Sequence, residues 1–346
     1  MTFSHRATGG VERSQLLGTW TAGMPLPEPK GTVISQCGWA DRPTLIASGI
    51  DKLVNTGVPQ FWLCGGGGEL APVIQRFALP DNAPCQLISR HGKSVGVRYA
   101  DADAEYALLT GVLPADQTAS PTKQTASVFE EIEAALNEVG MDFSNIARNW
   151  LYMDRILEWY DPFNRARDDF FRSRKVYDSM VPASTGIGSA NLFGTAIAAS
   201  TIAVKPKRPG SITVQAVDSP LQCTAQAYGS SFSRAVEIDA AGYRSLLISG
   251  TASIAPGGAT VHIGDETKQL ELTLDVVEAI LRSRGMDWGE ATRGVMYLKR
   301  PEFFKAWQQV REKRGIAEAP ISTIVADICR DDLLVELELD AVMKKE

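Results

Sequence analysis

The chain has 346 residues, 44% hydrophobic and 22% charged, with a formal net charge of −6. That composition fits a soluble globular protein with room for two domains; the acidic balance without a basic stripe argues against a nucleic-acid binder, and no apolar run of about eighteen residues is present to cross a membrane. Five scattered cysteines (Cys37, Cys64, Cys85, Cys223, Cys329) read as reduced thiols, three histidines without a Cys-x-x-Cys give no zinc site, and the start Met1-Thr-Phe-Ser-His-Arg-Ala7 has no apolar signal core, so the cytoplasm is the expected compartment.

Up to about residue 90, proline and glycine interrupt short apolar runs such as Thr32–Gln36 and Phe61–Cys64, which suggests short strands and loops. Gly65-Gly-Gly-Gly68 is not followed by Gly-Lys-Ser/Thr, so it reads as a flexible turn rather than a phosphate loop. Strands are expected over Gln86–Ser89, Ser94–Tyr99 and Tyr106–Leu113. A helix follows over Thr125–Val139, where Val128, Ile132, Ala135 and Leu136 fall on one stripe and Gly140 ends it. Ile146–Met153 reads as a strand, Pro162–Arg174 as a helix with proline in its first turn, and Ala183–Ile187 and Ala196–Val204 as strands. Lys205-Pro-Lys-Arg-Pro-Gly210 is a polar linker. The same order then returns: strands at Phe232–Ile238 and Ser245–Ser253, a helix at Glu266–Arg284, a strand at Thr292–Leu298 and a helix at Pro301–Arg314.

This return is an internal repeat at residue level. Gly140-Met-Asp-Phe-Ser-Asn-Ile-Ala-Arg-Asn-Trp-Leu-Tyr-Met153 matches Gly285-Met-Asp-Trp-Gly-Glu-Ala-Thr-Arg-Gly-Val-Met-Tyr-Leu298. Pro182-Ala-Ser-Thr185 matches Pro320-Ile-Ser-Thr323, and Leu109-Thr-Gly-Val112 matches Ile248-Ser-Gly-Thr251. The expected class is α+β, two copies of a mixed sheet with two helices packed on one face. The expected division is 1–208, a first unit with extra N-terminal strands and loops, and 209–346, a second unit.

The chain closes on Ile321-Ser-Thr-Ile-Val-Ala-Asp-Ile-Cys-Arg-Asp-Asp-Leu-Leu-Val-Glu-Leu-Glu-Leu-Asp340, which reads as a hairpin turning at Arg330-Asp331-Asp332. Residues two apart in a strand share a face, so Glu336 and Glu338 lie together, with Val335, Leu337 and Leu339 opposite. In that hairpin register Asp327 stands across from Glu336, and Cys329 shares the face of the glutamates. Two carboxylates on one enclosed face repel, and one of them stays protonated near neutral pH, as general acid catalysis requires. On an open face the same pair is merely solvated. The equivalent strand of the first unit, Thr195–Val204, carries no acid, which places a single active site in the second unit.

The repeated unit resembles the small reactive-intermediate-deaminase fold, the YjgF-like (chorismate-mutase-like) family, whose members end in a Val-Glu-Ile-Glu strand as Val335-Glu-Leu-Glu338 does here. Those deaminases carry an arginine where this chain has Ile321. A duplicated form, the chorismatases, is more similar, through Ala147-Arg-Asn-Trp-Leu-Tyr152, Pro182-Ala-Ser-Thr-Gly-Ile-Gly188, Phe232-Ser-Arg-Ala235, Ser249-Gly-Thr-Ala-Ser-Ile254 and Asp327-Ile-Cys-Arg-Asp-Asp-Leu-Leu-Val-Glu336. The resemblance covers roughly residues 86 to 346. It implies cleavage of the enolpyruvyl ether of chorismate, with Glu336 as proton donor and neither metal nor cofactor. It also implies that Gly250 and Cys329 mark the type that forms 3-hydroxybenzoate and pyruvate.

Chorismate is a dianion, and Arg148 and Arg234 are the candidate carboxylate binders, with Tyr228 and Glu338 beside them. Arg293 is the repeat equivalent of Arg148, which leaves a structural role open for that arginine. Ala227-Tyr-Gly-Ser-Ser-Phe-Ser-Arg-Ala235 lacks the arginine and prolines of the Tyr-Gly-Pro-Arg-Ser-Pro-like segment usual in the family. The alternative is therefore a YjgF-like protein acting on another small carboxylate or imine, or binding a metabolite without turnover. Single-unit relatives form trimers with sites at subunit boundaries, so either a monomer or a homotrimer is expected.

Overall fold

A computed structural model of the chain describes residues 2–6, 12–19, 31–47, 57–65 and 72–345, the first two stretches by their backbone. Gly66–Gly68 of the glycine run lie outside the described residues.

The strands are shared among three six-stranded sheets. The first contains β1 (Thr2–Arg6), β2 (Glu12–Thr19), β3 (Thr32–Ala40), β4 (Gln60–Cys64) and β5 (Val73–Leu79), with the short helix α1 (Arg42–Ala47) after β3. The second contains β6 (Cys85–Arg90), β7 (Lys93–Ala100) and β8 (Ala104–Val112), then helix α2 (Pro121–Asn137), β9 (Ile146–Met153), helix α3 (Ile156–Ser173) and β10 (Ala183–Gly188). The two-residue β11 (Ala190–Asn191) crosses to the first sheet, and β12 (Ile197–Pro206) returns to the second. The third contains β13 (Ile212–Val217), β14 (Ala235–Ala240), β15 (Tyr243–Ala252), helix α4 (Glu266–Ser283), β16 (Ala291–Leu298), helix α5 (Phe304–Lys313), β17 (Ile321–Val325) and β18 (Val335–Lys344).

The second and third sheets have one topology. Their orders, β6-β7-β8-β12-β9-β10 and β13-β14-β15-β18-β16-β17, both insert the last strand between the third and the fourth and pair the fourth and fifth in parallel. The first sheet follows the same plan with one outer strand fewer, in the order β1-β2-β5-β3-β4 before β11. No residue-level repeat announced this third copy. The expected α+β architecture is present in the second and third sheets, each with two long helices on one face.

The repeated Gly-Met-Asp has a local cause. Gly140 and Gly285 sit at φ of +71° and +70° after α2 and α4, where an L side chain would be strained. Asp142 and Asp287 then cap short 3₁₀ turns reciprocally with Asn145 and Glu290. Each turn delivers the chain into β9 or β16 at the same point of the sheet.

The hairpin expectation is corrected. β17 and β18 do not pair; both flank β16, β17 in parallel and β18 antiparallel, so Glu336 faces Tyr297 on one side and Ala252 on the other rather than Asp327. Period-two alternation fixes which face a residue takes, while the partner strand is chosen by non-local packing. The face assignment holds: Val335, Leu337, Leu339 and Ala341 pack under α4 and α5, and Glu336, Glu338 and Asp340 point the other way, all buried. The expected helix at Pro162 starts earlier, at Ile156, and kinks at Trp159 (φ −146°), so Pro162 lies in the first turn beyond the kink, where its missing N–H costs no hydrogen bond.

The sheets meet through the faces that carry no helices. β4 contacts β8, β10 contacts β15, and β17 contacts β2, which closes a ring of three sheets. At its centre an aromatic and aliphatic cluster includes Trp39, Phe61, Trp150, Tyr152, Tyr297 and Ile324.

Candidate active site

Glu336 stands where β10 of the second sheet meets β15 of the third, on the wall of a cavity of about 620 Å³. Three features of the local sequence shape the cavity. The kinked α3 turns Tyr160, Phe163 and Arg167 to one face, at helical spacing. The Ala225–Tyr228 turn ends at Gly229 (φ +83°) and brings Tyr228, Ser230 and Phe232 over the opening. The ladder between β15 and β18 slips between Ile248 and Thr251, a bulge that sets Gly250 against Glu336. A Cβ at Gly250 would lie 2.9 Å from Glu336 Cδ and 3.2 Å from Thr185 Cγ2, so the carboxyl fills the space that the missing side chain leaves.

Glu336 is 5% exposed and Glu338 is fully buried, which removes the solvated-face reading. The two acids are treated oppositely. Burial pushes the Glu336 carboxyl up to about 8, with the nearby Glu338 charge adding to the rise and Arg148 and Arg234 opposing it. Burial also acts to raise Glu338, but the Arg293 and Arg148 guanidiniums outweigh it and hold that carboxyl below the usual range. Arg148 Nη2 donates to Glu338 Oε2 at 2.9 Å, Arg293 Nη2 donates to Oε1, and Trp150 Nε1 donates to both oxygens at 3.1 and 3.0 Å. Both guanidiniums lie over the Trp150 ring, 5.0 Å from its centre. Glu338 is thus a pinned anion, and Glu336, two residues along the same face, is a neutral acid at pH 7.

The register shows why the first unit has no counterpart. Tyr152 and Tyr297 are repeat equivalents, and across from them on the last strand stand Ala198 and Glu336. By the same pairing Ser200 takes the place of Glu338, and Ile202 that of Asp340.

Of the residues singled out in the sequence, the structure brings Glu336, Gly250, Cys329, Arg234 and Tyr228 together on the cavity wall. Arg148 and Glu338 lie behind it, both with no exposed surface, in the buried network. Arg234 is held by two hydrogen bonds to the Cys223 carbonyl, from Nε at 3.0 Å and Nη2 at 2.9 Å, with Tyr228 and Phe232 on either side. Burial pushes the Cys329 thiol up to about 12, with the Glu336 charge adding to the rise, and Cys329 shares a hydrogen bond with Tyr160.

Sequence reasoning missed Arg167 and Arg330. Arg167 is 3% exposed, donates from Nη2 to Asn164 Oδ1 at 2.7 Å and to Ser230 Oγ at 3.2 Å, and leaves Nε without a partner among the described residues. Arg330 donates from Nη1 to the Gly258 carbonyl at 2.7 Å and lies over Tyr228. Arg330 lies inside the Asp327–Glu336 motif, whereas Arg167 lies on a helix whose sequence signal is the proline in its first turn. Among the described residues no cluster of His, Cys, Asp and Glu is arranged to hold a metal ion. No helix there is long and apolar enough to cross a membrane.

Residues 85–201 match the N-terminal family model of the FkbO/Hyg5-like chorismatases. A 3-hydroxybenzoate synthase of Streptomyces hygroscopicus is 30% identical over 278 residues, 72% of this chain and 77% of the relative. The chain belongs to the chorismatase family. A protein named chorismatase from the same organism is 28% identical, over 71% of this chain and 74% of its own. A chorismatase crystal structure superposes with a TM-score of 0.71, covering 94% of this chain and 98% of that one at 21% identity, so the chorismatase fold includes the first sheet as well. This chorismatase is an enzyme of that type, and its cavity lies between its two repeated units.

Proposed function

We propose that this enzyme cleaves the enolpyruvyl ether of chorismate to pyruvate and 3-hydroxybenzoate, with Glu336 as general acid. The observation that carries the reading is a neutral carboxyl, buried beside a pinned anion, on the wall of a cavity that also presents buried guanidiniums. An enol ether is inert until its terminal carbon is protonated. The Glu336 proton would form a new C–H bond on the methylene, leaving an oxocarbenium ion and a Glu336 carboxylate. The ring carbon–oxygen bond then breaks, its electron pair completing the carbonyl of pyruvate. The neighbouring ring hydroxyl supplies the oxygen at the carbon so exposed, and aromatisation, with loss of one proton overall, returns that proton to the Glu336 carboxylate. The atoms of chorismate equal those of the two products, so no water is consumed, whereas release of a dihydroxy cyclohexadiene acid consumes one.

Arg167 and Arg234 are suited to the two carboxylates. Each is anchored on one side and packed on aromatic rings, so little ordering is left to do on binding. On this reading Arg148 does not touch substrate; it supports Glu338, which supports the protonated state of Glu336. Cys329, a neutral thiol at working pH, serves as a small polarisable contact to the ring rather than a nucleophile. The deaminase alternative would need an arginine at the start of β17, where this chain has the buried, apolar Ile321. Purified protein given chorismate should release pyruvate and 3-hydroxybenzoate in equal amounts. Absence of pyruvate refutes the cleavage, and exclusive release of the cyclohexadiene acid refutes the product.

A further inference from the structure

The first repeated unit has a cavity in the place that corresponds to the active one. Gly111 is the repeat equivalent of Gly250, and it opens on a space of about 260 Å³ where β4 lies against β8, as β10 lies against β15 at the active cavity. The chemistry of the lining has changed. Where Thr185 and Glu336 crowd Gly250, the ring of Phe61 crowds Gly111, and Ala198 replaces the acid. Gly111 has φ of +63° and no room for a side chain, so its bulge is built into the fold. Phe61 stacks on Phe193, with ring centres 6.3 Å apart and planes within 5°. Lys93 holds its Nζ 5.3 Å from the centre of the Phe193 ring and makes no ion pair among the described residues. Arg90 and His91 stand on the rim, fixed by Glu131 at 2.8 and 3.0 Å.

We propose that this cavity is a second, non-catalytic binding site for a small aromatic carboxylate, with its ring against Phe193 and Leu113 and its carboxylate at Lys93. An apolar cavity of about 150 Å³ holds benzene, so the space suffices for one ring and its acid group. A cation held over an aromatic face and free of a carboxylate partner is the recognition element for such an anion. The acid on this lining, Glu131, is engaged by Arg90 and His91, which hold it below the usual carboxylate range, so it has no proton to give a ligand and occupancy has no chemical consequence at this site. Because the site bridges the first and second sheets, its occupant should brace that junction.

The probe is labelled benzoate, measured by equilibrium dialysis against the intact chain. Lys93→Glu should remove one bound equivalent, and Phe193→Ala should weaken that equivalent at least tenfold. Lys93 is exposed, so the variant should keep the parent melting curve and, without benzoate, the parent turnover. Benzoate binding that is unchanged by Lys93→Glu, or no benzoate binding at all, overturns the proposal. Neither result bears on cleavage at Glu336, which is read from product release.

Discussion

Gly250 presses on the carboxyl of Glu336 with no space between them: a methyl group there would lie 2.9 Å from Glu336 Cδ and closer still to Oε1. The glycine therefore sets the position of the proposed proton donor. In Gly250→Ala either the carboxyl rotates away or β15 shifts, and a misplacement of about 1 Å can cost on the order of 10²-fold. We expect kcat to fall by roughly that factor with the fold intact, as read by steady-state pyruvate release and circular dichroism. Unchanged kcat would mean that the carboxyl works from another rotamer.

Glu336→Gln should lower turnover about 10²–10⁴-fold, the range that a positioned general acid supplies. It should also stabilise the chain. Unfolded, this carboxyl titrates near 4.3; folded, at about 8. A raised folded value means that the native chain holds the extra proton between those limits. Its contribution to stability is complete below the lower limit and is lost as pH rises through the upper one, by about 1.4 kcal/mol per pH point. Glutamine has no such proton to lose. The melting temperature of Glu336→Gln should therefore exceed that of the parent, with the gap widening from pH 5 to pH 8. A gap that narrows over that range would contradict the assigned direction.

Glu338 offers a separate handle on the same proton. The parent kcat/KM, which reports the free enzyme, should fall as pH rises through about 8, where Glu336 ionises. Glu338→Gln removes the like charge that raises Glu336 and frees Arg148 to lower it, so the alkaline limb should move to lower pH. A merely structural role for Glu338 would depress kcat/KM at every pH and leave the limb in place. The variant leaves two buried arginines short of a partner and should lose on the order of 3–5 kcal/mol of stability, so the profile is best recorded well below its melting temperature.

How far the residues alone reach is clear from β18. The alternation Val335-Glu-Leu-Glu-Leu-Asp340 assigned faces, and those faces hold: three acids inward, aliphatics under the helices. It could not choose a neighbour, since a strand at the end of the chain pairs with whichever partners the packed sheet offers, here β15 and β16. The repeat exposed the second and third sheets because the helix-ending glycines and capping aspartates recur residue for residue. The first sheet keeps the topology without those marks and stayed hidden. Arg148 looked like a ligand contact in its motif, and only the three-dimensional placement of Trp150 and Glu338 shows it turned inward. Arg167 became visible once the kink at Trp159 had turned that face of α3 toward the cavity.

Arg167 tests the substrate side of the proposal. Its guanidinium is buried, burial itself lowers its pKa, and Nε has no partner among the described residues, an expensive arrangement in the empty protein. A carboxylate docking there would satisfy it. Arg167→Met keeps the packing on Phe163 and deletes the charge. A charge-assisted hydrogen bond of about 1.5–3 kcal/mol corresponds to a rise in KM of roughly 10- to 100-fold, with kcat changed far less. An equal fall in kcat and no change in KM would instead place Arg167 in the transition state alone.

The thiol of Cys329 gives the last prediction. Pushed up to about 12 by burial and by the Glu336 charge, it should stay protonated and resist alkylation by iodoacetamide at pH 7.5, while the exposed Cys85 reacts. Saturating the site with substrate should not change that protection. Cys329→Ala removes a contact to the ring without touching the donor, so the first protonation should survive. The fate of the ring should change instead: slower formation of 3-hydroxybenzoate, or diversion of part of the flux to the cyclohexadiene acid, resolved by chromatography of the aromatic and dienoic products. Rapid alkylation of Cys329 in the folded enzyme, or an unaltered rate and product mixture in Cys329→Ala, would remove the cysteine from the reaction and leave Glu336 to act without it.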